Sequence, residues 1–430
     1  MTTVPYSEQP APAPLVARTV ALDPSVTGDL LALLPEVLDP AVLSSWIRRG
    51  DGLVGWGRAA SFHSAGSDRF AEAQAWWRDL TSSAVVRDEV HLPGTGPVAF
   101  GSMAYAGESP SGGTLVVPQV VVGKRGGTSW VTAISGDGSM PAAVLPRRQA
   151  EPAPPRGVSF ADGALSAADW EVAVAEAVRR ITVGELDKVV LARDLEVLAR
   201  APIDVRWLLS RLADRYDNTW VFAVDGLVGA TPEMLVRLEK GLVTSRVLAG
   251  TIRRSGDDDH DLALAGSLAR SSKDLEEHEY AVRSVAEALR PHCLSMNVPE
   301  SPFVLHLTNV MHLATDVAGV LSDDSTSLAL AASLHPSAAV CGTPAAVADR
   351  TIAELERMDR GRYAGPVGWM DASGDGEWGI ALRCGAFEPA DGSRMRLFAG
   401  CGIVAGSDPE AEVAESDAKL VPMRDALTVP

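Results

Sequence analysis

The last third of the chain constrains its fold most strongly, because residues 334–419 combine small residues, one arginine that is predicted to be buried and an acidic helix. In order, they contain LHPSAAVCGTP, a strand pair around SGDG, RLFAGCGIVAG and DPEAEVAESDAK. Small residues leave room for a bound molecule, while the arginine and the carboxylates supply charges of opposite sign. We therefore predict one ligand pocket here, and we expect a lysine and further carboxylates from upstream segments to reach it.

Length and charge exclude several classes of function. A chain of 430 residues can form one large domain or two, with ample core in either case. The formal net charge is −18, whereas binding to nucleic acid or to an anionic membrane needs a basic surface. We therefore expect no nucleic-acid partner and no membrane partner. An anionic ligand would need positive charge from a few residues or from a metal ion.

The cysteines and the amino terminus indicate a cytoplasmic protein. Cys293, Cys341, Cys384 and Cys401 show no CxxC spacing, which argues against a zinc site and a disulfide framework and favours free thiols. The first residues lack the basic and apolar regions of a signal peptide. No uncharged run approaches the ~20 apolar residues of a membrane span.

Composition divides the chain into segments. Residues 1–15 are rich in proline and alanine and are expected to form a disordered tail. Residues 16–138 are rich in predicted strands, and the proline-rich residues 139–158 are expected to be an exposed loop. Residues 159–430 carry the motifs that bear on chemistry.

Two upstream segments offer groups for acid–base chemistry. Lys188 begins a predicted strand, KVVLARDLEV, and Glu233 follows Pro232 in the turn GATPE. Alone, each residue is more typical of a solvent-facing position at a sheet edge or a turn. Gly250, in the segment LAGTIRR, allows the backbone to approach another group closely.

A long predicted helix over SSKDLEEHEYAVRSVAEAL carries carboxylates next to its apolar stripe. Glu277 flanks the stripe that includes His278 and Val282, and Asp274 lies one turn earlier. Carboxylates beside a buried face are uncommon unless they are paired or bind a metal. The sequence HEYAV lacks the HExxH spacing of zinc proteases, and His312 alone is more typical of a packed core histidine.

A predicted hairpin places a cation next to small residues. On its second strand, residues 377–387, strict alternation predicts one apolar face and one face of small residues that ends in an arginine. A slot of this kind suits an anionic ligand, and an arginine paired with a core carboxylate is an equally good interpretation. The two predicted faces are Trp378, Ile380 and Leu382, and Gly379, Ala381 and Arg383.

The final predicted helix places charges on one face. Asp408 and Pro409 fit its first positions, and Glu412, Glu415 and Lys419 follow at spacings of three and four. Alone, these spacings are also typical of a surface salt-bridge ladder. The preceding FAGCGIVAG lacks both the GxGxxG spacing and the surrounding βαβ unit of a dinucleotide site, so its glycines would instead offer N–H groups to a carboxylate.

Together and in this order, the motifs resemble those of the chorismate-utilising enzymes: isochorismate synthases, salicylate synthases, and the large components of anthranilate and aminodeoxychorismate synthases. The resemblance covers residues 160–425. It rests on DKVVLAR, GATPEMLVR, LAGTIRR, KDLEEHEYAV, MHLATDVAG, LHPSAAVCGTP, RYAGPVGW, ALRCGAF, FAGCGIVAGS and EVAESDAK.

The resemblance implies an α/β (α+β) fold: a single large domain of two stacked antiparallel β-sheets surrounded by helices, as in the anthranilate synthase large component. That domain would span residues 16–430. Residues 16–138 would be its diverged N-terminal part, residues 139–158 a loop within it, and residues 159–430 its catalytic part.

The resemblance also implies roles for single residues. Lys188 would be the general base that activates water, and Glu233 the general acid that protonates the departing 4-hydroxyl group. This chemistry needs a neutral amine and a protonated carboxyl group, and burial favours both neutral forms. The implied Mg²⁺ ligands are Glu277 and Glu415, with Glu412 and Asp274 in or near the second shell. The implied substrate-binding residues are Arg383 and Tyr363 on the enolpyruvyl carboxylate, His312 beside the ring, Gly400 and Gly402 with backbone donors, and Gly250, Thr251, Ala339, Val340 and Lys419.

Single positions select a member of the family. Lys188 stands where ammonia-using members carry glutamine, and Ala345 stands where they usually carry lysine, so we expect a water-using enzyme without a glutaminase subunit. Ala339 and Val340 are closer to the Ala-Leu pair of isochorismate synthases than to the Thr-Ala pair of salicylate synthases. We therefore expect an isochorismate synthase, an isomerase of chorismate.

Two alternatives stay open at this point. One is a salicylate synthase, which goes on to eliminate pyruvate, and the other is a non-catalytic homologue that only binds chorismate. The isochorismate could serve menaquinone biosynthesis, siderophore biosynthesis or another secondary metabolite.

Overall fold

Short apolar runs separated by glycine- and proline-rich turns produce a structure dominated by strands. The computed structural model describes residues 13–23, 27–37, 39–142, 144–306, 310–389 and 391–428, without the side chains of Lys273 and Glu277. Within these residues the chain forms 23 strands and eight α-helices.

The first strands in chain order are β1 (Val16–Leu22), β2 (Leu43–Arg48), β3 (Asp51–Trp56), β4 (Ala60–Ser64), β5 (Val85–Asp88), β6 (Val98–Met103), β7 (Gly113–Val117), β8 (Val120–Arg125), β9 (Thr128–Ser135), β10 (Ser159–Asp162), β11 (Lys188–Leu198) and β12 (Trp220–Val224). The remaining strands are β13 (Leu227–Thr231), β14 (Met234–Glu239), β15 (Leu242–Arg253), β16 (Cys293–Asn297), β17 (Phe303–His306), β18 (Val310–Leu321), β19 (Gly342–Thr343), β20 (Pro366–Asp371), β21 (Gly376–Ile380), β22 (Cys384–Glu388) and β23 (Asp391–Ile403).

The helices are α1 (Arg69–Ser82), α2 (Ala167–Thr182), α3 (Val205–Arg215), α4 (Asp258–Leu268), α5 (Ser272–Leu289), α6 (Ser327–Ser333), α7 (Ala345–Glu356) and α8 (Pro409–Leu427). Short 3₁₀ turns lie at Leu31–Leu33, Pro40–Val42 and Arg290–His292. In the described parts of the chain, none of the helices combines the length and the apolar character needed to cross a membrane.

The strands form two large sheets that both halves of the chain share. Among the described residues, the first sheet has 13 strands in the order β10-β11-β23-β22-β13-β12-β2-β3-β8-β9-β1-β5, with β19 paired to β11. The second has ten, in the order β16-β18-β15-β14-β21-β20-β6-β7-β4, with β17 paired to β18. Neighbouring strands are antiparallel, apart from the parallel pair β1 and β5. Because each sheet contains strands from both halves of the chain, the prediction of a single α+β domain is confirmed.

The apolar core holds the two sheets together. One cluster joins Trp46 and Leu191 of the first sheet to Phe100 and Trp378 of the second, and all four are at most 2% exposed. A second cluster lies on the other face of the first sheet, where α3 and α8 cover it. Helix α5 packs on β15 and β18 of the second sheet. Burial of this apolar surface is the main force that stabilises the domain.

Two predicted helix starts have the expected positions. The Ser166 hydroxyl accepts the N–H of Asp169 at 3.1 Å and caps α2, so that prediction is confirmed. Asp408 occupies the N-cap position of α8 and Pro409 its first turn, although the Asp408 side chain makes no capping hydrogen bond.

The predicted second strand of the last hairpin is wrong. Strand β21 ends at Ile380, and the chain then crosses to the first sheet, where β22 begins at Cys384. Arg383 lies in this crossing with a φ of 49°, so it does not alternate with Gly379 and Ala381 on one strand face. In the sequence, small and apolar residues alternate through this crossing, so the pattern does not reveal that the chain changes sheets.

The segment boundaries in the first half can be compared with the structure. Most of the proposed tail 1–15 lies outside the described residues. Leu15, its last residue, is buried, and its carbonyl accepts the N–H of Val85 at 2.8 Å. The described residues of 139–158, which exclude residue 143, contain no helix or strand, and β10 begins directly after them.

Candidate active site

One cavity of about 890 Å³ collects the predicted site residues. It lies against β11, β15, β18 and β23, the turn before β14, and helices α5 and α8. Glu277 belongs to α5, but its side chain lies outside the described residues. The other predicted residues all line this cavity: Lys188, Glu233, Gly250, Thr251, Asp274, His312, Ala339, Val340, Tyr363, Arg383, Gly400, Gly402, Glu412, Glu415 and Lys419.

Lys188 enters the cavity from the first residue of β11, where it pairs with Thr343. On the other side of β11, Val190 pairs with Gly402 of β23. A Cβ atom at Gly402 would lie 3.1 Å from the Lys188 Cε and 3.6 Å from its Nζ. A side chain at position 402 would therefore crowd the lysine. The glycine that the sequence suggested as a backbone donor also makes room for the Lys188 side chain.

Glu233 is held by its backbone in the turn between β13 and β14. Its N–H donates to Thr231 Oγ1 at 3.2 Å, and its carbonyl accepts the N–H of Ile380 at 3.1 Å. Burial raises the pKa of Glu233 to about 7, although the positive charges of Lys188, Lys419 and Arg383 oppose this rise. A carboxyl group with this pKa is substantially protonated near neutral pH, as a general acid must be.

His312 faces the same cavity as a neutral imidazole. Its Nδ1 lies 2.9 Å from the Thr251 hydroxyl, its cross-strand partner on β15. Burial, together with the charges of Arg383 and Lys419, lowers the pKa of His312 to about 4. The Nε2 atom is buried and has no hydrogen-bond partner among the described residues. It is therefore a polar atom that a ligand in the cavity could satisfy.

The strand pair around His312 brings α5 close to β15. The register of β15 against β18 shifts between Ala249 and Thr251, at Gly250, whose φ is 73°. A Cβ atom at this glycine would lie 3.1 Å from the Asp274 Cβ. Gly250 thus meets two needs, a left-handed backbone and close packing of the first turn of α5.

Helix α8 brings two carboxylates together. One ligand atom each from Glu412, Glu415 and Cys401 lie within 4.8 Å of one another. Burial raises the pKa of Glu412, as does the nearby Glu415 charge. Burial also acts to raise the pKa of Glu415, but the charges of Lys419 and Arg383 outweigh it and the pKa of Glu415 is lowered.

This donor set fits a hard divalent cation. Carboxylate oxygens are the ligands that Mg²⁺ prefers. Burial raises the pKa of Cys401 to about 12, and its thiol donates to the Glu412 carbonyl at 3.6 Å, so it is a neutral thiol in this structure. Asp274, from α5, lines the same cavity but is not part of the Glu412–Glu415 group.

Arg383 supplies the cationic end of the cavity. In the described part of the chain it forms no salt bridge with a carboxylate, so the alternative of a paired core arginine is wrong. Burial lowers the pKa of Arg383, and Tyr363 and Tyr216 are among the groups that oppose this shift. Tyr363 stacks on Phe398 at 5.1 Å, and its hydroxyl would lie 3.0 Å from a Cβ at Gly400. An anion placed here would meet an unpaired guanidinium.

Sequence reasoning missed several residues of the cavity wall. Glu276 and Tyr280 of α5, Phe398 of β23, and Arg360 all line it. Glu276 and Tyr280 lie on the exposed side of an amphipathic helix, where no spacing distinguishes them from solvent-facing residues. Arg360 stands three residues before Tyr363 in RGRYAGPVG, and that proximity was the one available signal.

The comparison with known proteins agrees with this geometry. The profile of the family described as chorismate binding enzyme matches residues 29–428. The chain is 41% identical to isochorismate synthase DhbC of Bacillus subtilis over 273 residues, 61% of this chain and 68% of that protein. It is 31% identical to the salicylate biosynthesis isochorismate synthase of Pseudomonas aeruginosa over 96% of this chain and 90% of that protein.

A solved structure shows the same arrangement of the chain. MenF, the menaquinone-specific isochorismate synthase from Escherichia coli, superposes with a TM-score of 0.80 at 25% identity. The match covers 98% of this chain and 97% of MenF. The fold, the family profile and the full-length relatives agree, and the chain belongs to the chorismate-binding enzyme family.

Proposed function

We propose that the chain is a Mg²⁺-dependent isochorismate synthase, an isomerase that adds water at C2 of chorismate with loss of the C4 hydroxyl group. The observation that carries this proposal is the convergence of Lys188, Glu233 and Arg383 on one cavity with the carboxylates of α8. Relatives named as isochorismate synthases support it, and one of them is similar along nearly the whole chain.

The acid and the base would act from different walls of the cavity. Lys188, on β11, would take a proton from water as the water attacks C2. Glu233, on the turn before β14, would give a proton to the leaving C4 hydroxyl group. The pKa of about 7 at Glu233 supports this division, because it keeps a proton available near neutral pH. The neutral His312 would lie beside the ring.

The two carboxylates of the substrate would each be offset by a different positive group. Arg383, with Tyr363 beside it, would bind the enolpyruvyl carboxylate, since a guanidinium can donate two parallel hydrogen bonds. Glu415 and Glu277 would hold Mg²⁺, with Glu412 and Asp274 close by. When bound, the ion would offset the charge of the other carboxylate.

The proposal includes the setting of the enzyme. All four cysteines are free, which is typical of a reducing compartment and supports a cytoplasmic location. The lysine at position 188 supports the use of water, and we therefore propose that the chain works without a glutaminase subunit. The net charge of −18 supports the absence of a nucleic-acid partner.

Incubation of the purified protein with chorismate, with and without Mg²⁺, tests the proposed function. Chromatography should show isochorismate forming only with the metal, without a matching amount of pyruvate. Pyruvate released at the rate of chorismate loss would identify a salicylate synthase. Binding of chorismate without turnover would identify a non-catalytic homologue.

A further inference from the structure

A buried ion pair lies at the wall of the cavity, which Arg360 lines, and it has no role in the proposed chemistry. Glu356 ends α7, and Arg360 lies four residues later in the segment that follows the helix. The Arg360 Nη2 lies 2.5 Å from Glu356 Oε1, and the Nε lies 2.9 Å from Oε2. The two side chains are 1% and 3% exposed. Such a two-point contact fixes the orientation of both groups.

The pair fills a gap in the edge of the first sheet. On that edge, β19 pairs with Lys188 and Val189, and β10 pairs with residues 195–198. Strand β23 pairs with the stretch between them on the other side of β11, but among the described strands none pairs with it on this side. There the Val190 carbonyl accepts Arg360 Nη2 at 2.7 Å, and the Ala192 N–H donates to Glu356 Oε1 at 2.7 Å. The ion pair thus makes two of the hydrogen bonds that a neighbouring strand would make.

Arg360 also holds a second wall of the cavity. Its Nη1 donates to the Val340 carbonyl at 2.8 Å, while the N–H of Val190 donates to the Cys341 carbonyl at 2.8 Å. One guanidinium therefore links the strand of Lys188 to the turn that carries Val340. The ring of Tyr105 lies 4.4 Å from the guanidinium carbon and restricts its movement.

We propose that Glu356 and Arg360 are a positioning pair, which sets the distance between Lys188 and the wall formed by Ala339 and Val340. This inference rests on the proposed function, because it assigns the pair a consequence for the base that activates water. The pair acts through backbone groups, so its loss should lower kcat much more than it changes the affinity for chorismate. A shift of 1 Å at a reacting group can cost about 10²-fold in rate.

The test must separate positioning from stability, because removal of one partner leaves an unpaired buried charge that destabilises the fold. We would therefore make the double substitution Glu356→Leu with Arg360→Met, since apolar replacement of both partners of a buried ion pair is often tolerated. Arg360→Lys is the second variant, because it keeps the charge but loses the fork. Arg396→Met is the matched control, since Arg396 pairs with Asp194 of β11 but does not line the cavity.

Four measurements on each full-length protein decide the matter: Tm, kcat, KM for chorismate, and the rate at which an amine-acylating reagent modifies Lys188, read by mass spectrometry. We expect the double variant or Arg360→Lys to keep a Tm close to the wild-type value while kcat falls at least tenfold and KM changes less than threefold. We expect Arg396→Met to lower Tm and to leave kcat nearly unchanged. A folded double variant or Arg360→Lys protein with kcat within twofold of the wild-type value overturns the positioning role.

The acylation rate separates this inference from the proposed function. A severalfold change in Lys188 modification in the variants, with unchanged modification of Lys124, supports the positioning role even if the wild-type protein makes no isochorismate. A wild-type protein that makes no isochorismate would contradict the proposed function but not the positioning role. Unchanged modification of Lys188 together with unchanged kcat would overturn the positioning role alone.

Discussion

The Nζ atom of Lys419 lies 2.6 Å from Oε1 of Glu415 and 2.9 Å from the carbonyl oxygen of Gly400. These two contacts join the acidic face of α8 to the last residues of β23, which ends at Ile403. Burial acts to lower the pKa of Lys419, but its contact with the Glu415 carboxylate opposes this effect, and the pKa is raised. Lys419 therefore stays charged, and the carboxylates of α8 keep a fixed position relative to Gly400 and Gly402.

Substitution of the proposed base should stop the reaction without emptying the site. Lys188→Ala should lower kcat by about 10²–10⁴-fold, the usual contribution of a general base. Mg²⁺-dependent binding of chorismate, measured by calorimetry, should remain within a few-fold of wild type. Lys124→Ala is the control, because Lys124 does not line this cavity. Full activity of the Lys188→Ala protein would remove the lysine from the mechanism.

The raised pKa of Glu233 predicts a pH dependence of the rate. The general acid must be protonated, and its pKa of about 7 lies well above the ordinary carboxyl value of 4.5. We therefore expect kcat to fall above pH 7 as Glu233 ionises, with up to a tenfold loss per pH unit. Glu233→Gln should remove this alkaline limb together with most of the activity. A limb that survives unchanged in a Glu233→Gln protein would assign the titration to another group.

The same shift predicts a change in stability with pH. A carboxyl group whose pKa is raised in the folded state binds its proton more tightly when folded, so stability is lost as pH rises between about 4.5 and 7. Glu233→Gln lacks this titration. We therefore expect its Tm, relative to wild type, to rise between pH 5 and pH 8, as calorimetry at several pH values can measure. A constant difference in Tm would show that burial does not raise this pKa.

Loss of a proposed metal ligand should change the metal requirement. Glu415→Gln should raise the Mg²⁺ concentration for half-maximal activity by roughly 10–100-fold or more, because the loss of even a supporting group costs this much affinity. Glu410→Gln on the same helix is the control, since Glu410 does not line the cavity. An unchanged Mg²⁺ titration of the Glu415→Gln protein would exclude Glu415 as a ligand.

Arg383 should matter for substrate affinity. Arg383→Ala would leave a substrate carboxylate without its partner, which typically costs roughly 2–5 kcal/mol of binding free energy. Arg383→Lys should recover part of this loss, since it restores the charge without the planar fork. KM and the dissociation constant of chorismate measure the effect. Wild-type values for Arg383→Ala would contradict the assignment of this arginine to the substrate.

The sequence predicted which residues line the cavity better than it predicted how the chain places them there. Lys188, Glu233 and Glu415 could be placed together because their motifs occur in a known order, and the cavity brings them together. The position of Arg383 was wrong in detail, because alternation of small and apolar residues does not reveal where a chain leaves one sheet for another.

The missing parts are those that depend on contacts between distant segments. Arg360 bonds to backbone carbonyls at Val190 and Val340, 170 and 20 residues away in the chain. A contact between a side chain and a backbone group leaves no pattern in the sequence, because any residue can supply the carbonyl. Gly402 likewise gave no sign that it makes room for Lys188, since a glycine in a strand is equally consistent with a bulge or a turn.

The central claim is that water activated by Lys188 supplies the new hydroxyl group at C2. Turnover of chorismate in H₂¹⁸O, followed by mass spectrometry of the isochorismate, tests this directly. The proposed mechanism predicts one ¹⁸O atom in the product, located at C2. Isochorismate that carries only ¹⁶O would show that the C4 hydroxyl migrates within the molecule, and it would contradict the role assigned to Lys188.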